Sequence, residues 1–318
     1  MEDIDILKRK SSSPHEPEPS RKRLSVYFFM ALARITRKTG QYSPHLFKGD
    51  DLAKVEWEYK AGFEDLFNRV KDYISTDILN GKDVLDAGCG WGGKTIYYAE
   101  HTSLKTISGF DLPGVYKPEI SYKFASSKGV RNCSFIVSYA ENMPYSDNSF
   151  DVVILDDVME HVRDPEKVMK EILRVLRKKG IAIVKFPSFK MILAHHLDRA
   201  IRLPALHYIL SMKTWASGLN YALLHSKDEL NYEPFDKVVA TKYCKAITEN
   251  LNGLDFLSFS KIVQNSNFRV IYLKLLSFVS SSRKKNLKFT RLVYKILYTF
   301  KPLREFLSST MLFVGEKH

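Results

Sequence analysis

The sequence predicts an α/β fold in which a mostly parallel sheet is covered by helices on both faces. Three observations lead there. Between residues 81 and 186, short apolar runs alternate with longer segments of helical period, the order that parallel strands and their crossover helices require. The runs are near-continuous in apolar residues, as strands hidden on both faces must be. The first run leads straight into a glycine-rich turn and a helix, Val84-Leu85-Asp86-Ala87-Gly88-Cys89-Gly90-Trp91-Gly92-Gly93.

Taken in order, residues 1–23 are expected to be a disordered tail, because Ser11–Ser20 offers nothing to bury. Residues 24–80 form a helical flank. A first helix runs from Leu24 to Lys38, with Arg34, Arg37 and Lys38 at its C-terminal end and Gly40 to stop it. A second runs from about Leu52 to Ile74, where Val55, Tyr59, Phe63, Leu66, Phe67, Val70 and Ile74 recur at helical spacing. The core spans 81–188. Its strands centre on Val84-Leu85, Thr106-Ile107, Phe135–Val137, Val152–Leu155 and Ile181–Val184, and its helices lie near Gly93–His101, Pro118–Lys128 and Pro165–Arg177.

Residues 189–253 interrupt the alternation and are expected to cap the substrate. They carry His195, His196, His207, Tyr208, Trp215, Tyr221, His225 and Tyr232, a mixture that suits an aromatic or lipid-like acceptor with polar handles. Any one of these rings serves equally well as the core of a helical cap. Residues 254–318 complete the sheet: a helix at Phe256–Gln264, a strand at Phe268–Leu275, a basic helix at Leu287–Leu307 and a last strand at Thr310–Val314. Pro302 is expected to kink or break the basic helix.

The bulk properties set limits. With 318 residues and 45% apolar content the chain can bury a large core. No apolar run reaches the length of about eighteen residues that crosses a bilayer, and no secretory signal is evident, so a cytoplasmic location is expected. Cys89, Cys133 and Cys244 have neither paired nor metal-type spacing. The net charge is +13, and residues 187–318 alone hold 20 Lys/Arg against 9 Asp/Glu. Such a basic region meets an anionic partner or serves as a solubilising face. The stripe Leu292, Ile296, Phe300, Leu303 and Leu307, ringed by Lys288, Arg291, Lys295, Lys301 and Arg304, would suit peripheral contact with an anionic membrane or packing on the domain.

The glycine loop has two readings. Its glycines permit a sharp turn and close approach of a ligand, but Gly88, Gly90 and Gly93 also satisfy the dinucleotide pattern. Asp86 at the mouth of the turn argues against a pyrophosphate and for a cationic group. Asp111, ending the next strand, can accept both hydroxyls of a ribose and is neutral between the two.

Further along, Ala140-Glu141-Asn142-Met143-Pro144 through Asp151 and Asp157-Val158-Met159-Glu160-His161-Val162-Arg163-Asp164-Pro165 follow in order. With these motifs, residues 83–186 resemble the catalytic core of class I S-adenosylmethionine-dependent methyltransferases, in the broad small-molecule subgroup that includes quinone-biosynthesis enzymes. The resemblance implies a Rossmann-like, seven-stranded, mostly parallel sheet and S-adenosylmethionine as cofactor. It places Asp86 and the backbone of Gly88, Cys89, Gly90 and Gly92 at the methionine part, Asp111 at the ribose, Leu112, Ala140 and Glu141 at the adenine, and Asp156 near the amino-acid end. Tyr139 departs from the Asp often found there.

His161 is the candidate general base, needed only if the acceptor loses a proton. Asp157, Glu160 and His161 match a segment associated with a divalent metal in some quinone O-methyltransferases, although no metal is expected here. The expected reaction is methyl transfer to a small apolar or aromatic acceptor, lipid- or quinone-like, at oxygen or carbon. The alternatives are methylation of RNA or protein, with nucleic acid disfavoured for want of a binding module, and a non-catalytic cofactor-binding scaffold.

Overall fold

The computed structural model describes residues 31, 51–62, 66–113, 116–192, 205–209, 251–277 and 296–318. Seven strands form one sheet: β1 Asp83–Ala87, β2 Thr106–Asp111, β3 Cys133–Val137, β4 Phe150–Asp156, β5 Leu176–Phe186, β6 Phe268–Ser277 and β7 Ser308–Lys317. Their order is β3-β2-β1-β4-β5-β7-β6. The first five run parallel, and β7 inserts antiparallel between β5 and β6. The predicted α/β class, Rossmann-like, with a seven-stranded and mostly parallel sheet, is the observed one. Each predicted strand run lies inside an observed strand.

The helices are α1 Asp51–Ala61, α2 Leu66–Val70, α3 Gly93–His101, α4 Pro118–Ser127, α5 Pro165–Val175, α6 Leu206–Ile209, α7 Phe256–Gln264 and α8 Lys301–Arg304. α5 shows why such a segment is helical. Asp164 caps it by accepting from Lys167 N, Pro165 occupies its first turn, and Val168, Met169, Ile172 and Val175 fall on one buried face. That face packs with α7 on β4 and β5. The opposite side of the sheet is covered by α2 and α3 through Leu66, Phe67, Val70, Tyr98 and Ala99.

Two expectations change and a third holds. The helix expected from Leu52 to Ile74 is interrupted: α1 ends at Ala61, Gly62 N closes a turn on Tyr59 O at 3.1 Å, and α2 starts at Leu66. Gly62 lies flat on Tyr97, where an added Cβ would come within 2.8 Å of the ring, so tertiary contact overrides the periodicity. The α5 helix stops at Val175, two residues before the expected end, because Leu176 already pairs with Phe150. The basic C-terminal helix is broken as expected: residues 296–299 are helical, Phe300 is not, and α8 restarts with Pro302 in its first turn. Residues 287–295 of that helix lie outside the described residues. So do the tail, all of the first flanking helix but Ala31, Cys244 and the cap residues His195, His196, Trp215, Tyr221, His225 and Tyr232. No described helix is long and apolar enough to cross a membrane.

Candidate active site

β1 delivers Asp86 and Ala87 to a loop in which Gly88, Gly90 and Gly92 adopt φ of +83°, +61° and +81°, a region that side chains disfavour. The amides of Gly88 and Cys89 both donate to Phe110 O at 2.9 Å, tying the loop to β2. The glycines also make room for the chain itself. A Cβ on Gly90 would collide with Glu58, and one on Gly93 would strike the α1 backbone at Val55 O and Tyr59 N. α1 is therefore pressed onto the loop, with Lys54 Nζ 4.2 Å from the centre of the Trp91 ring.

Glu58 completes this contact. Its carboxylate accepts from Trp91 N at 2.9 and 3.0 Å and from Gly93 N at 3.1 Å, the donors that open α3 and would otherwise bind a phosphate. Burial lifts Glu58 to about 7, against these hydrogen bonds. A pyrophosphate is thus excluded from the helix end by a side chain already seated there, beyond the repulsion that Asp86 supplies.

Asp86 is buried and accepts from Thr95 Oγ1 at 2.5 Å. Burial pushes its carboxyl up to about 6, with the Thr95 bond opposing. Asp111 accepts from Gly90 N at 2.7 Å and from Leu112 N at 2.6 Å; burial raises its pKa, again against those bonds. Beside it Leu112, Val137 and Tyr139 are exposed apolar side chains, with Val137 paired to Asp111 in register. Ala140 is buried. The Glu141 carboxylate accepts from Arg163 N at 2.7 Å, so it fastens the segment after β4.

The end of β4 carries a chain of charges. Asp156 Oδ2 lies 2.8 Å from Lys94 Nζ, and its Oδ1 lies 2.7 Å from Lys185 Nζ, which also reaches Asp157 at 2.9 Å. Lys185 is fully buried in β5. Burial opposes ionisation of Asp156, but Lys185 and Lys94 outweigh it and hold the group well below the usual carboxylate range. Asp157 has φ of +59°.

Next to it Glu160 is buried with no hydrogen-bond partner on either oxygen. Burial, then Asp157, raise it well above its ordinary value, and it lies 3.6 Å from His161 Nε2. Asn252 clamps this turn, its side chain donating to Met159 O and Val162 O at 2.8 and 2.9 Å and its amide donating to Glu160 O. Among the described residues no group of three or more His, Cys, Asp or Glu is placed to hold a metal ion; at Asp157 the neighbour is an ammonium.

The structure gathers Asp86, the glycine loop, Asp111 and Asp156 at the C-terminal ends of β1, β2 and β4, and His161 on the turn beyond β4. Four residues of the site were missed by the sequence reading: Glu58, Lys94, Lys185 and Asn252. Lys185 had a signal, since a lysine inside the run Ile181–Phe186 is a charge in a strand that is otherwise buried. The other three had none, because their partners are distant in sequence or lie across loops.

These residues fit S-adenosylmethionine. Asp111 offers a carboxylate to ribose hydroxyls, the exposed Leu112, Val137 and Tyr139 offer an apolar surface to a purine, and Asp156 with Lys94 offers both signs of charge to an amino-acid end.

Comparison with known proteins agrees. Residues 78–208 match the family described as Methyltransferase domain. Norajmaline N-methyltransferase of Rauvolfia serpentina is 35% identical over 95 residues, 30% of this chain and 32% of that protein. A thiol S-methyltransferase of Mus musculus is 30% identical over 118 residues, 37% of this chain and 46% of that protein. The chain spans between about a third and a half of the length of these relatives. A chain from the complex of the Haloferax volcanii Trm112 methyltransferase activator with a methyltransferase candidate shares the fold, with a TM-score of 0.51 at 12% identity over 88% of this chain and 100% of that one. Over residues 78–208 the chain is thus similar to a methyltransferase domain, on a sheet of the Rossmann-like order.

Proposed function

We propose that the chain transfers a methyl group from S-adenosylmethionine to a small apolar or aromatic acceptor. The observation that carries the donor side is the loop geometry: the α3 amides are closed to phosphate by Glu58, while Asp111 and the Lys94–Asp156 pair lie at the strand ends beside the loop, with the chemistry that a nucleoside and an amino acid need. When bound, the cofactor supplies a sulfonium methyl that is already activated. The chain's own residues then have to orient the acceptor and exclude water.

On the acceptor side the reading rests on the turn after β4 and on the aromatic cap. Asn252, at the end of the cap segment, holds the backbone of residues 159–162. His161, about one-third exposed beside the buried Glu160, is the group able to take a proton from an acceptor that must lose one. Transfer to oxygen or carbon follows from the sequence resemblance, and the named relatives add nitrogen and sulfur as acceptor atoms. The excess of basic residues after position 187 supports peripheral contact with anionic lipid, which would deliver an apolar acceptor; vesicle flotation without preference for anionic lipid would remove that part.

The deciding experiment incubates the protein with cell extract and methyl-labelled cofactor, then separates lipid, small-molecule, RNA and protein fractions. Label in the lipid or small-molecule fraction is expected. Label confined to RNA or protein would move the acceptor to a macromolecule, and none in any fraction would favour a cofactor-binding scaffold.

A further inference from the structure

Lys94 stands where the acids of the site converge. Its ammonium is 2.8 Å from Asp156 Oδ2, and its charge also acts on Asp86 and on Glu58. Asp156 does not depend on it alone, because Lys185 holds the other carboxylate oxygen at 2.7 Å from inside the sheet. The two lysines differ in exposure. The Lys185 side chain is fully buried in β5, whereas Lys94 sits on the first turn of α3, just past the glycine loop, with 18% of its side chain exposed.

We infer that Lys94 receives the α-carboxylate of the cofactor, releasing Asp156 Oδ2 to the cofactor's α-ammonium. The inference rests on the methyltransferase reading above. An amino-acid end is a zwitterion, and the Lys94–Asp156 pair is its electrostatic complement. The exchange converts one ion pair into two and leaves no buried charge unpaired, the condition under which ion pairing in a desolvated site is tolerable. An α-ammonium is about the size of the lysine ammonium it replaces. Lys185 keeps Asp156 ionised and fixed throughout. The flexible lysine stem allows Lys94 to move the short distance from carboxylate to carboxylate.

The test is calorimetric binding of three ligands to the full chain and to Lys94→Met: S-adenosylhomocysteine, decarboxylated S-adenosylmethionine and 5′-methylthioadenosine. The variant should lose at least about tenfold in affinity for S-adenosylhomocysteine, the loss of one charge-assisted contact. It should bind the two ligands that lack a carboxylate within about twofold of the wild type or more tightly, and Lys94→Arg should recover part of the loss.

An equal loss for all three ligands, or no loss for any, would overturn the inference. Should Lys94→Met fail to fold, the wild type decides: it should prefer S-adenosylmethionine to its decarboxylated form, which differs only in the carboxylate, by at least about tenfold, and equal affinities would overturn the assignment. A wild-type chain that binds none of the three would instead overturn the methyltransferase reading, an outcome distinct from binding that ignores Lys94.

Discussion

Asp111 fastens Gly90 N to the end of β2, and under the proposed function it also accepts ribose hydroxyls. Asp111→Ala removes both, and S-adenosylhomocysteine affinity measured by calorimetry should fall by about 2–3 kcal/mol, on the order of a hundredfold; unchanged affinity would count decisively against the cofactor assignment. Glu58 makes a different prediction. Its folded pKa of about 7 exceeds its ordinary 4.5, so the native state binds more protons than the unfolded chain between those values. Its contribution to stability is therefore full below about pH 4.5 and is lost as pH rises through about 7. Urea unfolding at pH 5 and 7.5 should show the wild type gaining more stability on acidification than Glu58→Gln does. Equal gains would mean that the carboxyl ionises without penalty.

At the scale of elements, the contact between α1 and the glycine loop decides the shape of the cofactor end. A methyl group on Gly93 would strike backbone atoms of α1, which cannot rotate away. Gly93→Ala should push α1 off the loop, costing about 1–3 kcal/mol in stability as overpacking does. It should also weaken S-adenosylhomocysteine binding, both readable from chemical denaturation and calorimetry on one sample. A substitution that cost neither would show α1 to be loosely seated. α5 gives the control far from the loop. Ile172 is fully buried against the sheet, so Ile172→Ala should cost about 2–5 kcal/mol of stability while folded protein keeps its affinity for the cofactor product.

At the scale of the whole molecule, the sequence was most legible where structure is local. Strands buried on both faces must be apolar, so the runs at Val152–Leu155 and Ile181–Val184 announced themselves, and α3, α4 and α7 followed as the longer segments of helical period. The positions of Asp86 and Asp111 were legible because each lies at the end of a strand, Asp86 one residue before the last of β1 and Asp111 the last of β2. What stayed hidden were interactions between positions far apart in the chain. Glu58 meets Trp91 across 33 residues, and Lys94 meets Asp156 across 62; neither acid nor lysine has a neighbour that marks it. Gly90 and Gly93 were legible as glycines but not as the floor on which α1 rests. The sequence by itself determined the fold class and the place of the glycine loop with the acids beside it, because hydrophobic period and turn chemistry are properties of adjacent residues. Only the tertiary structure decided that the loop is closed to phosphate and that Asp156 is shared between two lysines, because those facts depend on which surfaces the packed sheet brings within a few ångströms of each other.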